Sequence, residues 1–243
     1  MKDISLMELL KSGAHFGHTT SRWNPKMKQY IYAVRNNIHI LDLEKTKKAL
    51  EKAAKQVHDL AANGGTILFI GTKRQAKDSV RETAERAHIP YVSVRWLGGT
   101  FTNFKTIQKT IRKMEKLQEQ TESPDFQQSF TKKERLMQVR ELEKLTRLFT
   151  GIKDMKKLPE AVFVVDANYD DTAVKEARKS KVKVFALGDT NTDPSLVDML
   201  IPCNDDATKA IELVLNTIAD SYIEGRGKLV TTSVSEAKPE IKK

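Results

Sequence analysis

At 243 residues, 39% of them hydrophobic, the chain is long enough for one sizeable core, and its single cysteine, Cys203, excludes an internal disulfide. No apolar run approaches the ~18 residues of a membrane helix, and lone-cysteine usage fits a reducing compartment. The formal net charge of +10 is uneven: residues 1–60 carry +5, 61–103 +3 and 104–157 +6, whereas 158–222 carry −6 and 223–243 +2. Such asymmetry points to a polyanion bound on one side.

Residues 5–13 read as a short helix, with Ser5 and Glu8 spaced as a capping box and Gly13 as its stop. His15 and His18 follow in a stretch that reads as a loop. No third or fourth ligand stands at recognisable spacing, so they read as packed or RNA-facing imidazoles, not a zinc centre. Arg22, Lys26, Lys28 and Arg35 then occur with no acid among them and with Trp23, Tyr30 and Tyr32 between them. Cations interleaved with aromatics suit phosphates and exposed bases. Asn36-Asn37 tolerates a tight turn joining Tyr30–Val34 to Ile38–Leu41. Apolar spacing predicts a helix over 42–62, capped by Asp42 and stopped by Asn63-Gly64-Gly65.

Thr66–Ile70 reads as a buried strand, and Gly71-Thr72-Lys73-Arg74 leads into a helix expected over 73–88. Strand, glycine and helix N-terminus make a ready anion site. The Walker and dinucleotide patterns are both absent, which leaves a structural turn or a nucleic-acid phosphate contact. The strand Pro90–Val94 delivers Arg95-Trp96-Leu97-Gly98-Gly99-Thr100-Phe101-Thr102-Asn103-Phe104-Lys105. Its cations and aromatics read either as an RNA contact or as a glycine turn with a tryptophan in the core. Phe104, Ile107, Ile111, Met114 and Leu117, then Leu136, Val139, Leu142, Leu145 and Leu148, predict two amphipathic helices forming an antiparallel hairpin. Its cations, among them Lys109, Arg112, Lys113 and Lys132, belong on solvated faces.

Alternation of strand and helix resumes with Ala161–Val165, a helix over 171–180, Lys183–Leu187, a helical turn at Pro194–Asp198, Met199–Ile201 and a helix over 206–222. That rhythm implies parallel pairing. Asp166, Asp189, Asp193, Asp205 and Asp206 follow these strands. Asp171, Asp193 and Asp206 read as helix caps. Asp189 and Asp205 are the remaining candidates for a divalent ion, and no metal or cofactor is assigned.

The motifs Leu6–Gly17, Arg22–Met27, Ile38–Leu43, Gly71–Lys73, Arg95–Thr100 with Thr102–Phe104, Val164–Asp166 with Glu176-Ala177, and Asp189–Pro194 with Ile201-Pro202 stand in one order along roughly residues 5–222. Together they resemble the bacterial small-subunit ribosomal protein S2 family. The resemblance implies a flavodoxin-like, three-layer α/β domain of five parallel strands, order 2-1-3-4-5, from residues 1–103 and 158–224. It implies an inserted antiparallel helical hairpin, a coiled coil, over 104–157, and a flexible tail is expected over 225–243. The implied role is that of a cytoplasmic, non-catalytic constituent of the small ribosomal subunit that binds ribosomal RNA and supports assembly and translation. Implied partners are that RNA and other small-subunit proteins, the large mRNA-binding one among them. RNA contacts are expected at Arg22, Trp23, Lys26, Lys28, Arg35, Arg95, Trp96, Asn103, Lys105, Lys109, Arg112, Lys113 and Lys132. The segment Lys179–Lys183 lacks a proline the family often has, and Asn168 and Tyr169 replace a more basic sequence, which discourages RNA contacts on that edge. A rival reading is a phosphoryl or sugar-phosphate enzyme using Gly71–Lys73 with Asp166 and Asp189. It lacks a nucleophile–base pair and a complete phosphate loop.

Overall fold

The computed structural model describes residues 4–236, without the side chains of 127, 128 and 228–236. Helix α1 (Leu6–Lys11) starts at Ser5, whose hydroxyl accepts from the Glu8 amide while the Glu8 carboxylate accepts from the Ser5 amide at 2.9 Å. Strand β1 (Phe16–Thr19) forms where a loop was expected. Its only large apolar residue, Phe16, is exposed, so the sequence shows no alternation to mark it. A 3₁₀ turn, Pro25–Tyr30, is capped by Asn24 and buries Met27. Strand β2 (Ile31–Arg35) pairs antiparallel with β3 (Ile38–Leu41), which also pairs with β1. Asn36 and Asn37 sit at φ 50° and 60°, the left-handed pair that a tight two-residue hairpin needs. Helix α2 (Leu43–Ala62) is capped by the Asp42 carboxylate, which accepts from the amides of Glu44 and Lys45.

The main sheet contains β4 (Ile67–Ile70), β5 (Tyr91–Val92), β6 (Ala161–Val165), β7 (Lys183–Gly188) and β8 (Met199–Pro202). All pairs are parallel, in the spatial order β5-β4-β6-β7-β8. Helices α3 (Lys77–Ala87) and α7 (Asp171–Lys179) make crossovers, and α8 (Thr208–Glu236) follows the last strand. The arrangement is consistent with a flavodoxin-like fold. Side chains alternate along each strand, which sorts the core into two layers. Ile67, Phe69, Phe163, Phe185 and Leu187 pack on α2, α3 and α8. Leu68, Ile70, Val162, Val164 and Val184 pack on α7, on the 96–101 loop and on the base of a helical insertion.

That insertion lies between β5 and β6. Helices α4 (Phe104–Glu122) and α6 (Lys132–Phe149) are joined through a short helix α5 (Phe126–Ser129), and the first and last of these pack on one another. Ile107, Ile111, Met114 and Leu117 are buried along α4, with Leu142, Leu145 and Leu148 of α6 half-buried. Thr131 and Glu134 form a second capping box at the start of α6.

Several boundaries differ from the sequence reading: the strand expected over Pro90–Val94 is only Tyr91–Val92, and two helices shift for a physical reason. Helix α3 starts at Lys77 and not at residue 73, because Lys73 is drawn into a buried ion cluster and residues 73–76 form a turn. The last helix does not stop near residue 222 but continues to Glu236, so the part of the expected tail up to that residue is helical; 237–243 lie outside the described residues. Gly225, where the tail was expected to begin, lies within α8 and packs against α2. A Cβ there would lie 2.4 Å from the His58 carbonyl oxygen. Gly225→Ala gains about 1 kcal/mol of helix propensity, so any net loss of stability has to come from that clash. We expect a net loss of about 1–2 kcal/mol, read as a lower urea midpoint. A raised midpoint would contradict the close approach.

Candidate nucleic-acid interface

The loop after β5 is organised by a residue to which sequence reasoning gave no role. Glu176 projects from α7, only 9% exposed. Its Oε1 accepts from the Gly99 amide at 2.7 Å and the Trp96 indole at 3.4 Å. Its Oε2 accepts from the amides of Phe101 (3.1 Å) and Thr102 (3.3 Å) and from the Thr102 hydroxyl (3.2 Å). A run of backbone N–H groups curled about one carboxylate is an anion nest. The protein fills it with its own side chain. Gly99, at φ +93°, makes the curl possible, whereas a Cβ on Gly98 would meet nothing.

Trp96 is 8% exposed and lies edge-on to Phe101, with ring centroids 4.9 Å apart. It therefore anchors the loop, as the reading of a glycine turn with a tryptophan in the core expects. Arg95 beside it is exposed. Asn103 is exposed too, but its side-chain oxygen accepts from the Thr106 hydroxyl at 2.8 Å. Lys105 is exposed on the first turn of α4.

In the 22–35 stretch, the Asn24 amide donates to the Thr190 carbonyl at 2.7 Å, and half-buried Trp23 lies against His39 with centroids 5.1 Å apart. Lys26 is committed internally. Its ammonium pairs with Asp193 at 2.8 Å and donates to the Ser195 hydroxyl at 2.9 Å. The hydrogen bond from Lys26, with those from Ser195, holds the Asp193 carboxyl down at about 2. Arg22, Lys28 and Arg35 are exposed.

Beyond the carboxyl ends of the strands, the expected phosphate site is already filled. The Lys73 ammonium lies 3.0 Å from Asp166, 2.7 Å from Asp205 and 2.7 Å from Asp206. Burial pulls its pKa down, but the carboxylate of Asp205 first, then Asp206 and Asp166, hold it above the ordinary lysine value. The Thr72 amide and hydroxyl donate to Asp170 at 3.1 and 2.7 Å. Gly71–Lys73 is therefore a structural turn. Two expected caps are also corrected. Asp171 pairs with Lys175 and Asp206 with Lys73, while Asp193 does cap its turn through the Ser195 amide. His18, expected to lack further ligands, meets sequence-distant ones. Its Nδ1 is hydrogen-bonded to Asp189, and His18, Asp189 and Asp205 offer donor atoms that all lie within 4.8 Å of one another. One imidazole nitrogen and two carboxylate oxygens could hold a divalent cation. The hydrogen bond to Asp189 outweighs burial and raises the His18 pKa.

On the hairpin, Lys113 pairs with Glu141 at 2.5 Å, which ties α4 to α6 and uses its charge. Lys109, Arg112 and Lys132 are exposed. The structure thus divides the expected cations into two sets. Lys26 and Lys113 are neutralised within the protein, whereas Arg22, Lys28, Arg35, Arg95, Lys105, Lys109, Arg112 and Lys132 make no ion pair among the described residues.

A parallel α/β sheet carrying a basic helical insertion, with its phosphate turn filled from within, has the makings of a binding protein. The family model described as "Ribosomal protein S2" matches residues 9–225. Relatives named "Small ribosomal subunit protein uS2" from two strains of Thermus thermophilus are each 50% identical over 235 residues, covering 97% of this chain and 91% of theirs. One of the same name from Coprothermobacter proteolyticus is 50% identical over 226 residues, 93% of this chain and 84% of its own. The chain belongs to the ribosomal protein S2 family, whose role is structural and not enzymatic.

Glu176 supplies a test of the loop. Burial pushes its carboxyl up, but the amides of Gly99, Phe101 and Thr102 donate to it and hold it below the ordinary carboxylate range. Its contribution to stability is therefore complete above its unfolded value of about 4.3 and is lost as the pH falls through the folded value. Glu176→Gln should cost about 1.5–3 kcal/mol at pH 7 and flatten the acid limb of the stability profile. Equal denaturant midpoints for the two proteins at pH 7 would contradict this.

Proposed function

We propose that this protein is a non-catalytic constituent of the small ribosomal subunit that binds ribosomal RNA through its unpaired surface cations and supports subunit assembly and translation. The observation that carries the reading is a stripe on α4. Lys105, Lys109, Arg112 and Lys116 recur at intervals of four, three and four, all exposed, and none is ion-paired among the described residues. At 100° per residue this stripe lies opposite the buried seam of Ile107, Ile111 and Met114. It runs about 16 Å along the helix.

Charges left unpaired on the outside of a projecting coiled-coil arm do nothing for its own packing, and they suit the phosphates of a folded RNA. Arg22, Lys28, Arg35 and Arg95 are further exposed cations outside the hairpin, and Trp23, next to Arg22 in the chain, is half-buried. The relatives' name supports placement on the small ribosomal subunit; in this reading the partners are that subunit's RNA and its other cytoplasmic proteins, the large mRNA-binding one among them. Leu136 and Met137 on α6 are 51% and 61% exposed, which favours a protein contact on the arm in addition to the RNA.

The test is sedimentation of the tagged protein in lysate, with and without ribonuclease. Wild type should co-migrate with the small subunit and be released by ribonuclease. Lys109→Glu with Arg112→Glu, both on exposed positions, should lower occupancy at least tenfold. Undiminished occupancy at elevated salt would sink the role given to the stripe.

A further inference from the structure

The carboxyl ends of β4, β5 and β6 enclose an open cleft of about 550 Å³. It lies where the winding of the sheet reverses, since β5 and β6 flank β4 on opposite sides. Open α/β sheets bind ligands at such a point. One wall is Val94 and Arg95, in the loop after β5; the other is Tyr169, after β6; Thr72 and Asp170 form the floor.

Both walls are held by buried carboxylates. Asp166 sits at φ +64° and accepts from the amides of Asn168 and Tyr169 at 3.1 and 3.0 Å, which fixes the turn that carries the tyrosine. Glu176 fixes the loop that begins at Arg95. Yet the side chains they present are open to solvent. Tyr169 is 59% exposed, Val94 is 39% exposed, and Arg95 is exposed without an ion pair among the described residues. A rigid turn displaying a largely uncovered aromatic ring opposite a free guanidinium serves no need of the core.

We propose that this cleft binds one unpaired nucleotide, its base on the Tyr169 ring and its phosphate at Arg95. The polarity follows from the floor. The Thr72 amide and hydroxyl already donate to Asp170, and that carboxylate repels a second anion, so the phosphate goes to the rim. The volume suits a small ligand and not a duplex. Stacking on an aromatic tolerates any base, which makes an unstacked residue of a folded RNA a fitting occupant. The assignment rests on the RNA-binding reading above where the nucleotide belongs to RNA; a free nucleoside monophosphate offers the same chemistry. It also gives a contact to the edge from which the sequence at Asn168 and Tyr169 discouraged one.

The experiment uses the full-length protein with Tyr169→Ala, Tyr169→Phe and Arg95→Gln, all at solvent-facing positions. Binding is measured to small-subunit ribosomal RNA and, separately, to a nucleoside monophosphate by quenching of Trp96, which also lines the cleft. Tyr169→Ala should weaken binding roughly five- to hundredfold, the range for one stacked base, with Tyr169→Phe close to wild type and Arg95→Gln weakened. A response with RNA alone identifies an RNA nucleotide, and one with the monophosphate alone a free nucleotide; each upholds the assignment. Binding of both probes within twofold of wild type in Tyr169→Ala and Arg95→Gln overturns it. If Lys109→Glu with Arg112→Glu still weakens RNA binding in that case, only the cleft assignment fails. If it does not, the RNA reading fails as well.

Discussion

One carboxylate joins the two halves of this protein. Glu176 stands on α7, packed on the sheet, and accepts five hydrogen bonds from the loop that leads into α4. A bare carboxylate buried there would be costly, and the amides of Gly99, Phe101 and Thr102 would be left without partners. Each satisfies the other. With Trp96 wedged against Phe101, the start of the hairpin becomes part of the core, and the direction of a long basic arm is set by hydrogen bonds at its root.

The same logic accounts for the separation of charge along the chain. The last third is acidic, yet many of its acids face inward or are committed to the basic part. Asp166, Asp205 and Asp206 surround Lys73, Asp170 holds Thr72, Asp189 holds His18, and Asp193 holds Lys26. These contacts bind the α/β core to the N-terminal three-stranded sheet and to the turn after β4. Outward on the first two thirds, Arg22, Lys28, Arg35, Arg95, Lys105, Lys109, Arg112 and Lys132 remain without an ion pair among the described residues. The acidic third thus acts mainly as the internal counterpart of the basic chain and less as a surface turned away from a polyanion.

The extent to which this was legible follows from the range of the signals. β6 was readable because a short apolar run of β-branched and aromatic residues, Ala161-Val162-Phe163-Val164-Val165, favours a buried strand, and α1, α2 and the Asn36-Asn37 turn because caps and left-handed positions act within four residues. The apolar stripes of α4 and α6 marked the hairpin for the same reason. β1 was hidden because a short polar strand with an exposed Phe16 carries no periodicity. The start of α3 was missed because Lys73 is fixed by aspartates 93 to 133 residues away. Long-range pairing also decided the site. No local pattern shows that Lys26 meets Asp193, that Lys113 meets Glu141, or that His18 meets Asp189. The pair Glu176-Ala177 stood among the motifs but gave no hint of its function, since its partners lie some 75 residues earlier.

The central claim is that pairing state decides which cations serve the RNA. The most direct measurement is the salt dependence of binding to small-subunit ribosomal RNA for wild type, Lys109→Ala and Lys113→Ala. Each phosphate contact contributes close to one to the slope of log K against log salt. The account predicts a steep slope for wild type, a loss of about one in Lys109→Ala, where the charge is free, and an unchanged slope in Lys113→Ala, where the charge is held by Glu141. A slope near zero in wild type, or equal losses in the two variants, would contradict it.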